Sequence, residues 1–404
     1  MTYDLPPVLI EEPREGIPDV THSDIDDAVA RLARGHGPFA VDTERAMGIR
    51  YSNRAYLIQV RRPGAGTVLI DPVGIEDRLD GLREVMREEW ILHSADQDLP
   101  SLHELGLTPT KVFDTEIAAL ILGYERHSLQ AITEKLTGWT LAKEHSNSDW
   151  SQRPLPSELR AYAALDVELL HELRHKLTDQ LVAAGRMSWF EQECEEVRTR
   201  TPKPPRKDPW RRYAHRVGIL DRRALGMLRE LWDARDALAR ERDVAPSKVI
   251  SSTVLAELAE SKPRSWSAIE NSPLLEADDG LEDAKTWWKA IRTAWALDPH
   301  DLPQRKLTDK KTPHPPVNRW ETMDPDAFDR WQVLRTTVLD LAEELGIRQE
   351  VLIKPAIQRM AAWEGWHTID DLGAILRREG ARPWQIDQVS GPIHQAAQEA
   401  GVVL

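Results

Sequence analysis

The stretch Phe39-Ala40-Val41-Asp42-Thr43-Glu44 decides how the fold is read. Three apolar residues lead into two carboxylates spaced two apart. In a strand, residues two apart project to the same face, so Asp42 and Glu44 would stand side by side at the end of a buried strand. Two such carboxylates repel each other and are costly to desolvate without a cation. Mg²⁺ or Mn²⁺ removes that cost, because hard ions prefer oxygen ligands. An Asp-x-Glu alone often sits on a solvated strand end, so its surroundings must decide.

Working outward, short apolar runs predict strands at Phe39–Thr43, Tyr56–Val60, Thr67–Ile70 and Trp90–His93. Helical periodicity is read near Ile75–Arg87, Asp98–Leu105, Asp114–Leu122 and Leu129–Leu136. One long helix is expected from Ser157 towards Ala184. Arg-Arg-Pro-Gly-Ala-Gly between the second and third strands is a hairpin signal. Hairpin-linked strands that lead into strand–helix units predict an α/β domain with a mixed sheet.

The Pro-rich basic stretch 201–208 reads as a linker, and a second polar, Pro-rich stretch covers 298–318. The segments after both stretches are helical in pattern. Leu225, Leu228, Leu231 and Leu238 recur at helical spacing, as do Phe328, Trp331, Leu334 and Leu341. A shift of 103 positions aligns these and further apolar pairs, among them Val249 with Leu352 and Ile269 with Leu372. One offset matching across an interhelical loop predicts two copies of one helical fold.

The chain has 404 residues and a net charge of −14, which argues against a large, uniformly basic binding surface. Local basic clusters remain, at Lys203, Arg206, Lys207, Arg211, Arg212 and Arg216, and at Arg305, Lys306, Lys310 and Lys311. The one cysteine, Cys194, permits neither an internal disulfide nor a cysteine metal cluster. With no signal segment and no apolar run of membrane length, a cytoplasmic protein is expected.

Two more acidic signals lie downstream. Tyr162-Ala-Ala-Leu-Asp166 places a phenol and a carboxylate one helical turn apart. Asp98 opens the helix after the fourth strand, where it serves as an N-cap or faces the sheet edge. Asp96 is its rival, and Leu99 and Leu102 favour Asp98. In the order Asp-x-Glu, Asp, Tyr-x-x-x-Asp, the pattern resembles the DEDDy 3′→5′ exonuclease superfamily. Leu57-Ile58-Gln59, His93 to Leu99, Phe113-Asp114-Thr115 and above all Ser148-Asp149-Trp150-Ser151-Gln152-Arg153-Pro154-Leu155 resemble ribonuclease D across about residues 37–180.

That resemblance implies a ribonuclease H-like exonuclease domain over 1–200, a linker at 201–214 and an HRDC domain at 215–297. A second linker, 298–320, and a second HRDC-like bundle, 321–404, would complete the chain. It further implies that Asp42, Glu44, Asp98 and Asp166 hold two divalent ions, Mg²⁺ or Mn²⁺, that hydrolyse the terminal phosphodiester. Tyr162 would position the attacking water, and a nucleoside 5′-monophosphate would leave from the 3′ end of RNA, with tRNA precursors among the expected substrates. Met47, Tyr51, His93, Trp150 and Arg153 are candidate substrate contacts, with Trp150 also readable as a buried anchor beside Pro154, Arg153 as the partner of an acidic neighbour and His93 as a core or edge histidine. Asp114 either supports a ligand from behind or caps a helix. Arg216, Arg222, Arg223, Lys248 and Arg264 are candidate phosphate contacts, and a monomer is expected. Two other readings stand beside this one: a DNA 3′→5′ exonuclease, and a non-catalytic RNA-binding scaffold with a relic nuclease domain. The first is disfavoured because no Walker-type loop marks a helicase partner, the second because no carboxylate is missing.

Overall fold

The computed structural model describes residues 6–141, 148–201, 204, 206–305 and 313–403. Lys203, Lys306, Lys310 and Lys311 of the basic clusters lie outside the described residues. The first 200 residues run β1 (Val8–Ile10), β2 (Val20–Thr21), α1 (Ile25–Arg34), β3 (Phe39–Arg45), β4 (Ala55–Arg62), β5 (Gly66–Ile70), α2 (Asp80–Val85), β6 (Glu89–Leu92) and α3 (Ala95–Glu104). They continue through β7 (Lys111–Asp114), α4 (Thr115–Ile121), α5 (Leu129–Thr137), β8 (Trp139–Leu141), α6 (Ser157–Glu168), α7 (Leu170–Ala183) and α8 (Met187–Thr199).

Six strands form one mixed sheet in the order β2-β5-β4-β3-β6-β7. β4 lies between β3 and β5 and is antiparallel to both, whereas β3, β6 and β7 run parallel. β3 is central because Phe39, Ala40 and Val41 are apolar on both faces, as a doubly covered strand requires. α6 packs across β3, β4 and β5. β1 and β8 pair in a small separate sheet.

The expected strands and hairpin lie where the sequence placed them, but three helices differ. The expected helix over Ile75–Arg87 shrinks to a 3₁₀ turn and α2. The long helix is broken at Leu169 (φ −105°, ψ 0°) into α6 and α7. α3 begins at Ala95, not Asp98. Asp98 therefore sits in the first turn rather than opening the helix.

The remainder is helical. One group comprises α9 (Arg211–Val217), α10 (Arg222–Arg242), α11 (Pro246–Val249), α12 (Ser252–Ser261), α13 (Trp266–Glu270), α14 (Pro273–Glu276) and α15 (Ala284–Ala296). The other comprises α16 (Trp320–Met323), α17 (Pro325–Leu345), α18 (Gln349–Leu352), α19 (Pro355–Glu364), α20 (Ile369–Arg378) and α21 (Pro383–Glu399). The 103-residue offset maps α10 onto α17, α11 onto α18 and α12 onto α19 at both ends, and the first residue of α13 onto that of α20. The expected linkers are shorter than drawn: α9 starts inside 201–214, and Trp320 is fully buried.

The two bundles dock differently. The first has its own core, against which Tyr51 packs. The second shares one continuous core with the α/β domain. There Trp189 stacks on Trp384 at 4.6 Å, and Glu193 accepts from Trp384 Nε1 at 2.8 Å and Arg382 Nε at 2.6 Å.

Candidate active site

β3 ends in the carboxylates of Asp42 and Glu44, and α6 lies over it with Asp166. One carboxylate oxygen from each of these three residues falls within 4.8 Å of the other two. Asp98 reaches the same place from α3. All four acids and Tyr162 line one cavity of about 280 Å³, together with Arg45, His93, Gln97, Leu129 and Leu170. Asp98 is 4% exposed, and its Oδ1 accepts a hydrogen bond from Thr43 Oγ1 at 2.9 Å. The rival Asp96 is exposed and does not line the cavity.

Crowding sets the electrostatics. Burial pushes Asp42 up to about 6, partly offset by the Thr43 backbone and the Arg45 guanidinium. Glu44 stands well above the carboxylate range because of burial and then the charges of Asp42, Asp166 and Asp98. Burial, with the Asp42 charge next in size, does the same to Asp98 and Asp166. Among the described lining residues Arg45 is the one cation, 3.8 Å from Asp98, since burial and His127 lower His93 to about 4 and leave it neutral. One buried and three half-buried carboxylates facing one guanidinium form a donor set that lacks positive charge, and divalent cations with oxygen preference fit it. Tyr162 is hydrogen-bonded to Asp166, and burial plus the neighbouring carboxylates raise its phenol well above its ordinary range.

Asp114 accepts hydrogen bonds from the starts of two helices. Its Oδ1 caps α4 by accepting from Glu116 N (2.8 Å) and Ile117 N (3.3 Å). The same carboxylate accepts from Ser94 N (3.1 Å) and Ala95 N (2.7 Å) at the start of α3. Ser94 is left-handed (φ 61°), so Asp114 pins the tight turn from which Asp98 enters the cavity. His93 lines that cavity and meets Thr115 Oγ1 at 2.9 Å through Nδ1.

Several expected substrate contacts are corrected. Trp150 is fully buried, packed with its ring 6.1 Å from that of Tyr162, so it cannot stack on a base. Arg153 lines a different cavity; Asp71 and the carbonyls of Trp150, Gln152 and Tyr56 occupy its guanidinium. Met47 is 61% exposed and does not line the acidic cavity. Tyr51 instead docks the first bundle, its hydroxyl donating to Asp236 at 2.9 Å and accepting from Arg240 at 3.0 Å. Arg222 and Arg223 spend their donors on backbone carbonyls at 302–303 and 294–297. Arg216 lies 5.6 Å over the Tyr213 ring, Arg264 lies 4.7 Å over the Trp295 ring, and Lys248 is exposed.

Three residues of the site were not assigned from sequence. Thr43 lies inside the Asp-x-Glu triplet and Arg45 follows it, and both engage Asp98. Gln59, opposite Asp42 on β4, sits with its Nε2 3.5 Å from Glu44 Oε1 and its own Oε1 buried without a partner. Its place in Leu57-Ile58-Gln59 was the available signal, because a polar residue in an apolar strand needs a reason to be buried.

Residues 19–182 match a 3′-5′ exonuclease family, 224–278 the HRDC domain, and 313–397 a 3′ to 5′ exonuclease C-terminal domain. Ribonuclease D of Zymomonas mobilis is 30% identical over 287 residues, 68% of this chain and 72% of that protein. The chain belongs to the ribonuclease D family. It is therefore a member of a family of 3′–5′ exoribonucleases, built as a mixed-sheet exonuclease domain with helical domains behind it. A crystal structure of a protein from Bifidobacterium adolescentis is 35% identical, with a TM-score of 0.87, covering 97% of this chain and 100% of that one. Escherichia coli RNase D, described as an exoribonuclease involved in structured RNA processing, is 25% identical with a TM-score of 0.64, covering 95% and 99%. Among the described residues, no helix is long and apolar enough to cross a membrane.

Proposed function

We propose that this ribonuclease D family chain removes nucleotides one at a time from the 3′ end of RNA, releasing nucleoside 5′-monophosphates, at the cavity between β3, α3 and α6. Structured precursors such as those of tRNA are the substrates this reading favours. The observation that carries it is the convergence of Asp42, Glu44, Asp98 and Asp166, from three separate elements, on one small cavity with a single nearby guanidinium.

Asp42, Glu44, Asp98 and Asp166 would hold two divalent ions, Mg²⁺ or Mn²⁺, which when bound lower the pKa of water and neutralise charge on the scissile phosphate. The chain's own residues prepare the rest. Thr43 and Arg45 fix Asp98, and Asp114 fixes the turn before it. The Tyr162 hydroxyl, hydrogen-bonded to Asp166 at the cavity wall, can orient a water or a phosphate oxygen. Its ring is held by packing against Trp150, which keeps that hydroxyl placed. Leu129 and Leu170 supply apolar wall to the same cavity. Neutral His93 can meet a nucleotide without adding charge.

The test compares a 5′-labelled single-stranded RNA with a DNA of matched sequence, each incubated with the full chain and Mg²⁺ or Mn²⁺. A ladder shortening from the 3′ end, with 5′-monophosphates released and RNA degraded faster, is expected. Faster loss of DNA, or internal cleavage, overturns the reading.

A further inference from the structure

A second cavity, of about 980 Å³, lies along the same sheet edge. The end of β5, with Asp71 beyond it, the start of β4 and the end of β3 all meet there, because β4 is antiparallel to both neighbours. Four arginines line it, Arg50, Arg54, Arg153 and Arg160, against three acids, Asp19, Asp71 and Asp243. In a chain of net charge −14 this is a local reversal of sign.

The four guanidiniums are not equally committed. Arg153 is used up by Asp71 and by carbonyls. Arg160 Nη1 meets Pro18 O at 3.0 Å and Asp19 at 2.6 Å, and that aspartate is fully exposed. Arg50 donates to Ser151 Oγ at 2.7 Å and faces Asp243 at 3.5 Å. Arg54 makes no hydrogen bond among the described residues. It lies 5.0 Å over the Tyr56 ring, with Glu76 3.8 Å away. Arg54 Nε, Arg160 Nε and the Tyr56 hydroxyl are buried donors without partners. Buried donors are normally satisfied, and an arginine fork suits a phosphate better than any other common anion save carboxylate.

We propose that this cleft holds a backbone phosphodiester of the RNA strand upstream of the nucleotide being removed, with Arg54 as its main ligand and Arg50 and Arg160 beside it. The proposal rests on the exoribonuclease reading above and extends it to where the body of the strand runs. The two cavities are close. Arg160 of the cleft and Asp166 of the acidic cavity lie on one helix, six residues or about 9 Å apart along its axis. Arg45, at the end of β3, lines one cavity, and Arg50, on the loop that follows, lines the other. The first helical bundle closes the far side through Asp243, and Ala245 N donates to Ile49 O on that loop at 2.8 Å. A strand leaving the acidic cavity thus meets positive charge where the bundle begins.

The experiment measures binding of fluorescein-labelled RNA, a 12-mer and a trimer, to the full chain in EDTA over a series of KCl concentrations. Arg54→Gln should weaken 12-mer binding about fivefold to tenfold. It should also flatten the slope of log K against log salt by about 0.7, the value for one phosphate contact on a single strand. The trimer should lose far less. Arg54→Lys keeps the charge without the fork, so it should recover the slope but only part of the affinity. Arg335→Gln, an exposed arginine on α17, is the charge-matched control and should leave both unchanged. Arg54 is partly exposed, so these variants should fold, and circular dichroism checks that they do. If Arg54→Gln keeps the parent's slope and affinity, or weakens trimer and 12-mer equally, the cleft is not a phosphate site. If the parent binds neither RNA, the exoribonuclease reading falls and takes the cleft's role with it.

Discussion

Without a cation, the acidic cavity should oppose folding at neutral pH, and the size of that opposition can be worked from Asp42. Its carboxyl is raised from 3.8 to about 6 by burial. A folded pKa above the unfolded one means that the native state binds the proton more tightly. The associated stability is full below about 3.8 and is lost as pH rises through about 6. A shift of roughly two units corresponds to about 3 kcal/mol, an upper bound because part of the carboxylate faces the cavity. Glu44, Asp98 and Asp166 shift in the same direction. The perturbation is Asp42→Asn, compared with the parent at pH 5 and pH 7.5, in EDTA and in Mg²⁺, by thermal unfolding of the full chain. In EDTA the parent should lose about 1.4 kcal/mol relative to Asp42→Asn between the two pH values, roughly half of the whole, because pH 5 already lies above the unfolded pKa. For a domain of this size that is on the order of 3–6 °C in the transition of the α/β domain. Mg²⁺ at pH 7.5 should restore the parent and do much less for the variant. Parallel pH profiles in EDTA, or equal Mg²⁺ stabilisation of both proteins, would refute the reasoning.

Three further outcomes are expected from the same geometry. Tyr162→Phe keeps the ring against Trp150 and removes the hydroxyl, so steady-state kinetics should show kcat down by about 10²-fold with KM little changed. Thr43→Val removes the hydrogen bond to Asp98; it should cost about 1 kcal/mol of stability and weaken Mn²⁺ binding measured by calorimetry. Asp114→Asn strips a charged acceptor from four backbone N–H groups, so denaturant titration should show a loss of about 2–3 kcal/mol, and kcat should fall because the turn before Asp98 loosens.

The strands and the repeat were legible because each is a local pattern read at its own period. Phe39 to Val41 is apolar throughout because β3 is covered on both faces. The 103-residue offset recurs because α10 and α17 present the same apolar face at the same length. The order of acidic residues carried the family, though not their convergence: whether Asp98 meets Asp42 depends on α3 starting after a left-handed Ser94 held by a carboxylate twenty residues away. Ser94 is a cap-type residue, yet its hydroxyl makes no cap bond and donates to Glu116 instead. Trp150, open in the sequence between base stacking and a buried anchor beside Pro154, is the anchor. It stands in the polar run Ser-Asp-Trp-Ser-Gln-Arg-Pro, yet it fills the space beneath α6 against Tyr56, Leu57 and Leu159. The β1–β8 pairing joins segments about 130 residues apart through three-residue strands, too short for any periodicity to register. Arg153 illustrates the limit for charge: the sequence offers it a phosphate or an acidic neighbour, and only the fold names that neighbour as Asp71.

The central claim is that the cavity beside β3 is a cation cage, and Mn²⁺ soaked into crystals of the full chain with a nucleoside 5′-monophosphate tests it most directly. Anomalous density should show two ions among Asp42, Glu44, Asp98 and Asp166, beside the nucleotide phosphate, and none in crystals of Asp42→Asn treated alike. Manganese found elsewhere, or retained unchanged by the variant, would contradict the account.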